Sequence, residues 1–303
     1  MFDISVQLKR VPDTHETVLA DSVQLSAGGK GMCQAVAASR LGGTVEMIGL
    51  VGQDPFGAYL LEVLDNDHIR RVHVGSHRAG THLGIPIVTP DGNNRIIGVP
   101  RASAFVTPDV VHGSGEAIHR SDVLLVQGET PLDVIRWAIA ACSESVLVVW
   151  NPAPASFSLS EMLDWEYGLR VAWITPNETE AAQLVDMMIV DTDSAIAAAK
   201  KIRQHWSSLG VVITLGDKGA AAIDHGDQVH LVSPFAVRAV DPTAAGDAFT
   251  AAFALGIANG SPVSEALEFA AAAGALTATR SGSVPSIPTL SMVRELREIG
   301  STT

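Results

Sequence analysis

Large side chains and charge are both scarce in this 303-residue chain: aromatic residues make up 5% and charged residues 17%. With hydrophobic residues at 47%, so little charge excludes a disordered chain and leaves material for a sizeable core. Basic residues are the scarcer sign. There are 20 Lys and Arg against 33 Asp and Glu, a net charge of -13, which excludes a nucleic-acid groove built on clustered cations. Only five of those 20 are lysines, so Lys30 and Lys218 stand out. The two cysteines, Cys33 and Cys142, allow at most one disulfide, and a reduced chain is the simpler reading. No apolar run reaches membrane length: 251–258 and 270–278 are Ala-rich and broken by Gly256 and Gly274. No basic-then-apolar leader follows Met1, so the expectation is a cytoplasmic enzyme with neither membrane nor nucleic acid as partner. The ten histidines form no Cys/His cluster, so no zinc site is expected.

What the chain does have is alternation. Val45–Val51, Val123–Gln127, Val146–Trp150, Val171–Thr175 and Val211–Leu215 read as strands. Between them, Pro55–Asp65, Pro131–Cys142, Glu178–Val185 and Ser194–Gln204 read as helices, and Met292–Ile299 as a closing helix. Short β-branched runs between amphipathic helices predict an α/β fold, a mostly parallel central sheet covered on both faces in three layers. Ile4–Gln24 and His82–Val99 break the rhythm. With turn chemistry such as Asp91-Gly92-Asn93, they predict a small β-sheet lid over about 4–24 and 82–99. No linker or repeat divides the chain, so residues 1–303 are expected to form one unit.

The strongest motif is Asp241-Pro242-Thr243-Ala244-Ala245-Gly246-Asp247-Ala248-Phe249, after a strand-like run (Ala236–Val240) and before an Ala-rich helical run closed by Asn259-Gly260. Small residues at Ala244, Ala245 and Gly246 let backbone N–H groups converge at a helix N-terminus, an anion site. Asp247, one turn in, can take the proton of an attacking hydroxyl there. The plain alternative is an aspartate capping a helix. A second motif, Gly28-Gly29-Lys30-Gly31-Met32-Cys33-Gln34 through Leu41-Gly42-Gly43, is a glycine-rich turn feeding a helix. Its spacing fits neither a Walker A loop nor a dinucleotide fingerprint, which counts against a dinucleotide oxidoreductase. Its glycines let backbone approach a polyhydroxylated ligand.

Both motifs resemble the signatures of the PfkB, or ribokinase-like, carbohydrate kinases, whose C-terminal pattern is Asp-Thr-x-x-Ala-Gly-Asp-x-Phe; here Pro242 replaces the first Thr. The N-terminal motif is especially similar to ribokinases. Val51-Gly52-Gln53-Asp54-Pro55-Phe56-Gly57 and Asn151-Pro152-Ala153-Pro154-Ala155 follow in family order. The resemblance implies an ATP-dependent kinase phosphorylating a sugar hydroxyl, with Mg²⁺ and K⁺, and a homodimer formed through the lid. It implies Asp247 as base, amides of Ala244, Ala245 and Gly246 around the transferring phosphoryl group, and Asp3, Gly29, Lys30, Cys33 and Glu129 around the sugar. Asn177, Thr214, Gly216, Asp217, Lys218 and Gly219 would border the nucleotide, as would Gly246. Glu180 would reach hydrated Mg²⁺, consistent with that ion's retention of waters. Asp241, Thr243, Thr277, Arg280, Gly282 and Ser286 would supply oxygens to K⁺.

Two departures carry weight. Ribokinases have Asn where this chain has Cys33, which removes a two-way amide from the sugar site. Family members also open with a core strand ending in Gly-x-x-Asn-x-Asp. Here Asp3 matches the Asp and Met1 falls on the Asn, so most of that strand is absent, and three readings stand: a misplaced start codon, another segment filling the gap, or a compromised chain. A nucleoside kinase of the same superfamily and a non-catalytic sugar- or nucleotide-binding member remain the alternatives.

Overall fold

The structure is a computed structural model and describes residues 1–89 and 94–300. The expected turn at Asp91-Gly92-Asn93 lies outside the described residues. In chain order the elements are β1 (Phe2–Gln7), β2 (Ser22–Ala27), α1 (Lys30–Arg40), β3 (Glu46–Gly52), α2 (Pro55–Asn66), β4 (Arg70–His77), β5 (Leu83–Val88) and β6 (Asn94–Val99). Two short helices, α3 (Pro108–Val111) and α4 (Gly115–His119), precede β7 (Val123–Gln127), α5 (Leu132–Ala141), β8 (Leu147–Asn151), α6 (Leu159–Leu163) and β9 (Val171–Ile174). Then come α7 (Glu178–Val185), α8 (Thr192–His205), β10 (Gly210–Thr214), β11 (Ala220–Ile223), β12 (Val229–Val232), α9 (Ala245–Ala258), α10 (Val263–Ala278) and α11 (Leu290–Gly300).

Six strands form the main sheet in the order β12-β11-β10-β9-β8-β7. β7 through β10 are mutually parallel, while β11 and β12 are antiparallel additions at the far edge. The apolar runs read as strands are buried on both faces because successive side chains enter different cores. Val148 and Trp150 join one apolar cluster, and Val149 between them joins the other. On β10, Val211 and Ile213 face the first and Val212 the second. One cluster is completed by α1, α9 and α10, the other by α5, α7 and α8, giving three layers. The first layer is tight: a Cβ on Gly256 of α9 would stand 2.9 Å from the Ala266 Cβ of α10.

A separate four-stranded sheet, β2-β1-β5-β6, forms from the first segment and from 83–99. β1 and β5 are parallel and the other pairs antiparallel. It carries exposed Val23, Leu25, Ile96 and Ile97.

Two expectations are corrected. Ala236–Val240 forms no strand: β12 already closes the sheet edge, no partner lies alongside, and the segment is largely exposed. It is tied down at its end, where Val240 and Asp241 N–H groups donate to the Ala278 carbonyl (2.8 and 3.1 Å). Among the described residues no other segment takes the place between β3 and β7 that the sequence offered to a substitute strand. β3 and β4 pair only with each other, and β3 does not join β7. Between them lies a hollow of about 740 Å³.

Candidate active site

The parallel strands end on one side of the molecule, the side where α/β sheets place ligands. Gln127 ends β7, Asn151 ends β8, Thr175 follows β9 and Thr214 ends β10. α1 and α9 start at the same place. Gly29, at φ 87°, turns the chain into α1, a conformation that favours glycine. The first turn of α1 is capped across the cleft: Lys30 N–H donates to Glu129 Oε2 at 2.8 Å.

Asp247 stands in the first turn of α9, 8% exposed. Gln34 Nε2 donates to its Oδ1 at 3.0 Å and to Asn151 Oδ1 at 3.2 Å. Gln34 Oε1 in turn accepts from Gln127 Nε2 at 2.8 Å, and Asn151 Nδ2 donates to the Thr175 carbonyl at 2.7 Å. This amide chain spans the ends of three neighbouring strands and fixes the carboxylate's orientation. Burial pushes the Asp247 carboxyl up to about 6; Lys30 and the Gln34 hydrogen bond oppose that, and Glu129 and Glu180 reinforce it. Burial alone would lower the Lys30 ammonium, but Asp247, Glu129 and Glu180 outweigh it and hold it above its ordinary value. One cation among three carboxylates at a helix N-terminus suits transfer of an anionic group to a hydroxyl.

Ala244, the residue before α9, adopts φ 63°, a left-handed conformation that costs a non-glycine residue about 1–2 kcal/mol. The turn is over-determined by its surroundings: Ala245 N–H donates to the Pro242 carbonyl at 3.1 Å. That corrects the expectation for Ala245, whose amide is taken up within the turn. The N–H groups of Gly246 and Asp247 are the first-turn donors left without an intrahelical acceptor.

On the lid side, Asp3 of β1 is 5% exposed. Its Oδ2 accepts from Ser283 Oγ at 2.8 Å, while its buried Oδ1 has no partner. Burial holds its carboxyl above the ordinary value. A Cβ at Gly28 or Gly84 would overlap this carboxylate, so both glycines are required by the close approach. An unpartnered buried acceptor of this kind is satisfied by a ligand donor such as a sugar hydroxyl. Cys33 lies fully inside, its thiol pushed well up by burial and then by Asp247, Asp3 and Glu129, which removes it as a nucleophile. Cys142 is likewise free and buried.

Toward the other end, Asn177 and Glu180 cap α7 reciprocally. Glu180 N–H donates to Asn177 Oδ1 (2.8 Å) and Asn177 N–H to Glu180 Oε2 (2.9 Å). Burial raises the Glu180 carboxyl despite the Asn177 N–H and Lys30. Asn177 bridges to Thr214, whose N–H donates to the Pro176 carbonyl. Gly216–Lys218 is a single tight turn ending at Gly219, with Gly216 and Asp217 exposed. Lys218 is not drawn into the carboxylate cluster: its Nζ donates to the Val190 carbonyl at 2.6 Å.

The loops around 241 and 277–286 are joined by one side chain. Asp241 Oδ1 accepts from Thr243 N–H and Oδ2 from Gly282 N–H, each at 3.0 Å. Thr277 Oγ1 is committed to the Ala273 carbonyl and Ser286 Oγ to the Ser283 carbonyl. The Arg280 guanidinium points to Met292 Sδ, so only its carbonyl is free for the loop. Among the described residues no cluster of His, Cys, Asp and Glu could cage a metal ion, so a divalent ion here would need oxygens from a phosphorylated ligand and water.

Gln34, Gln127 and Ser283 were missed in the sequence. Gln34 was findable, because it stands four residues after Lys30 and so shares its helix face.

A polar cleft at the carboxyl ends of a parallel sheet, with a lid sheet and a buried carboxylate at a helix N-terminus, defines an α/β phosphotransferase. The family model for "pfkB family carbohydrate kinase" matches residues 2–290, and the chain belongs to that family. It is 35% identical to the ribokinase of Haemophilus influenzae over 289 residues, covering 93% of this chain and 91% of that protein. It is 31% identical to the deoxyribokinase of Salmonella typhi, covering 97% of this chain and 95% of that protein. The solved structure of Arabidopsis thaliana ribokinase complexed with ribose and ATP superposes with a TM-score of 0.86 at 30% identity, covering 97% of this chain and 95% of that one. The protein is a ribokinase-like, ATP-dependent carbohydrate kinase.

Proposed function

We propose that the whole chain works as one unit that transfers the γ-phosphoryl group of ATP to a hydroxyl of a pentose. The carrying observation is Asp247, a carboxylate oriented by Gln34, set beside Lys30 and raised to about 6, where a base is effective near neutral pH. In this reading Asp247 takes the hydroxyl proton. The Gly246 and Asp247 amides, with the αL turn at Ala244, receive the charge on the moving group. Asp3, Gly29, Lys30, Cys33 and Glu129 hold the sugar, and the orphaned Asp3 Oδ1 takes one of its hydroxyl protons in a hydrogen bond. Asn177, Thr214, Gly216, Asp217 and Gly219 border the nucleotide, with Lys218 at its margin.

Mg²⁺ would be held chiefly by the phosphates and water, with Glu180 accepting from that water, and would neutralise phosphate charge. For K⁺, the fit is the pair of loops that Asp241 ties together, offering carbonyls of Asp241, Thr243, Thr277, Arg280, Gly282 and Ser286. The exposed apolar residues of the lid sheet favour a homodimer through that face. No helix among the described residues is long and apolar enough to cross a membrane, and a cytoplasmic location is proposed.

The test is ADP release over ribose, 2-deoxyribose, fructose and nucleosides, with and without K⁺. Ribose is expected as substrate, with activity rising in K⁺. Turnover confined to nucleosides would overturn the sugar assignment. A second reading is favoured by Cys33: a site without the family's amide has one fewer partner for a hydroxyl. Because the Salmonella relative is a deoxyribokinase, 2-deoxyribose used as well as ribose would support it.

A further inference from the structure

One row crosses the lid sheet from β1 to β6 through Asp3, Gly84 and Gly98, paired in that order. Only Asp3 of the three carries a side chain, and a Cβ at Gly84 would overlap its carboxylate. Over Gly98 the space is open: a Cβ there would meet, among the described residues, only His82 Nε2, at 3.8 Å. Paired residues of neighbouring strands hold their Cβ positions roughly 5 Å apart. The unpartnered Asp3 Oδ1 and His82 Nε2 therefore stand over the two ends of a strip of bare backbone, a gap of sugar-ring size.

His82 comes to this place because its backbone is held on both sides. It stands two residues before Gly84, so in an extended chain its side chain leaves on the same face. Its carbonyl accepts from Phe2 N–H at 2.8 Å, and Thr81 before it donates to Asp54 through N–H (2.8 Å) and hydroxyl (2.6 Å). The ring is held as well, with Nδ1 2.7 Å from Ser103 Oγ. Ser103 sits in the turn Ala102–Phe105 after β6. Ala102 N–H ties that turn to the Gly80 carbonyl (2.8 Å), and Arg101 Nε ties it to the Ala79 carbonyl (2.8 Å). With Nδ1 committed, Nε2 takes no partner among the described residues, and His82, Gly29 and Glu129 line the same hollow. Burial holds the imidazole below its ordinary value, against Glu129, so the ring is neutral at pH 7. It then presents one donor or one acceptor at Nε2, whichever the Ser103 hydroxyl leaves to it.

A simple tie between lid and turn would use Nδ1 alone and would not require glycine beneath Nε2. The sugar site also has a hydroxyl partner to make up, since Cys33 offers only a weakly bonding thiol. We infer that His82 is a specificity-determining residue of the sugar site, its Nε2 hydrogen-bonded to a pentose hydroxyl on the side of the ring away from Asp3, and that Ser103 is its positioning residue. The inference rests on the pentose reading above. A site built to bond a hydroxyl discriminates against the analogue that lacks it, so His82 would set which deoxypentoses are accepted.

The test measures sugar binding by calorimetry, with KM for ribose and for ATP, in the parent, His82→Ala, His82→Asn and His82→Gln. Asn keeps a polar atom near Nδ1 for Ser103 and loses the distal one; Gln places its amide near Nε2. His82→Ala and His82→Asn are each expected to raise Kd and KM for ribose about tenfold, with KM for ATP unchanged, and His82→Gln to recover most of that loss. Among the 1-deoxy, 2-deoxy and 3-deoxy forms of ribose, one should bind the parent and His82→Ala equally, which identifies the partner hydroxyl. Ribose bound by the parent and all three variants alike would overturn this inference and leave the pentose reading standing. Every deoxy form weakened by the same factor as ribose would overturn it too, since no hydroxyl would then be the partner. A parent that binds no pentose would overturn both.

Discussion

Replacing Asp247 with asparagine separates what this residue does for the reaction from what it costs the fold. Burial lifts its carboxyl from an ordinary 3.8 to about 6. At 1.36 kcal/mol per unit of pKa, that corresponds to about 3 kcal/mol as an upper bound. Because the folded value is the higher one, the penalty is absent below about pH 3.8, where folded and unfolded chains both hold the proton. It grows as pH rises, while the unfolded chain ionises first, and is complete above about 6. Asp247→Asn is therefore expected to be more stable than the parent at pH 8 by up to about 3 kcal/mol, the difference vanishing near pH 4. For a chain of this size that is roughly 6 °C in Tm. Turnover should fall about 10²–10⁴-fold at the same time, the range for a general base. Thermal unfolding from pH 4 to 8, beside ADP release at saturating ATP, measures both. A variant no more stable than the parent at pH 8 would refute the burial argument; one with undiminished turnover would refute the base.

Other outcomes follow from the same geometry. For the parent enzyme, kcat/KM should rise with pH through about 6 as Asp247 ionises. Gln34→Leu removes a hydrogen bond to the charged carboxylate, so that limb should move to higher pH, with kcat/KM near pH 6 down about tenfold while ATP affinity is kept. Asp3→Ala should raise the sugar KM roughly 10–100-fold without changing that for ATP, a KM series that a merely structural loss would not reproduce. Ala244→Gly should retain activity and gain up to about 1 kcal/mol at the αL turn, whereas Ala244→Val should lose stability by more than that; denaturant unfolding reads both.

Sequence by itself determined the order of strands and helices and the chemistry of the two glycine-rich motifs, because those depend on neighbours along the chain. Alternation of β-branched runs with amphipathic helices specifies a covered parallel sheet. Small residues before Asp247 specify where a helix N-terminus opens. The same local logic misread Ala236–Val240: a β-prone run becomes a strand only if another strand lies beside it, and that is a property of the whole sheet. It also left Gln34 unremarked inside a helix, since its role depends on Asp247, which is 213 residues away in sequence. Tertiary structure alone decided the raised Asp247 carboxyl, the unpartnered Asp3 oxygen, the commitment of Ala245 N–H to Pro242, and the open edges of β3 and β7. Burial, desolvation and lateral pairing arise between segments, and no single stretch of residues encodes them.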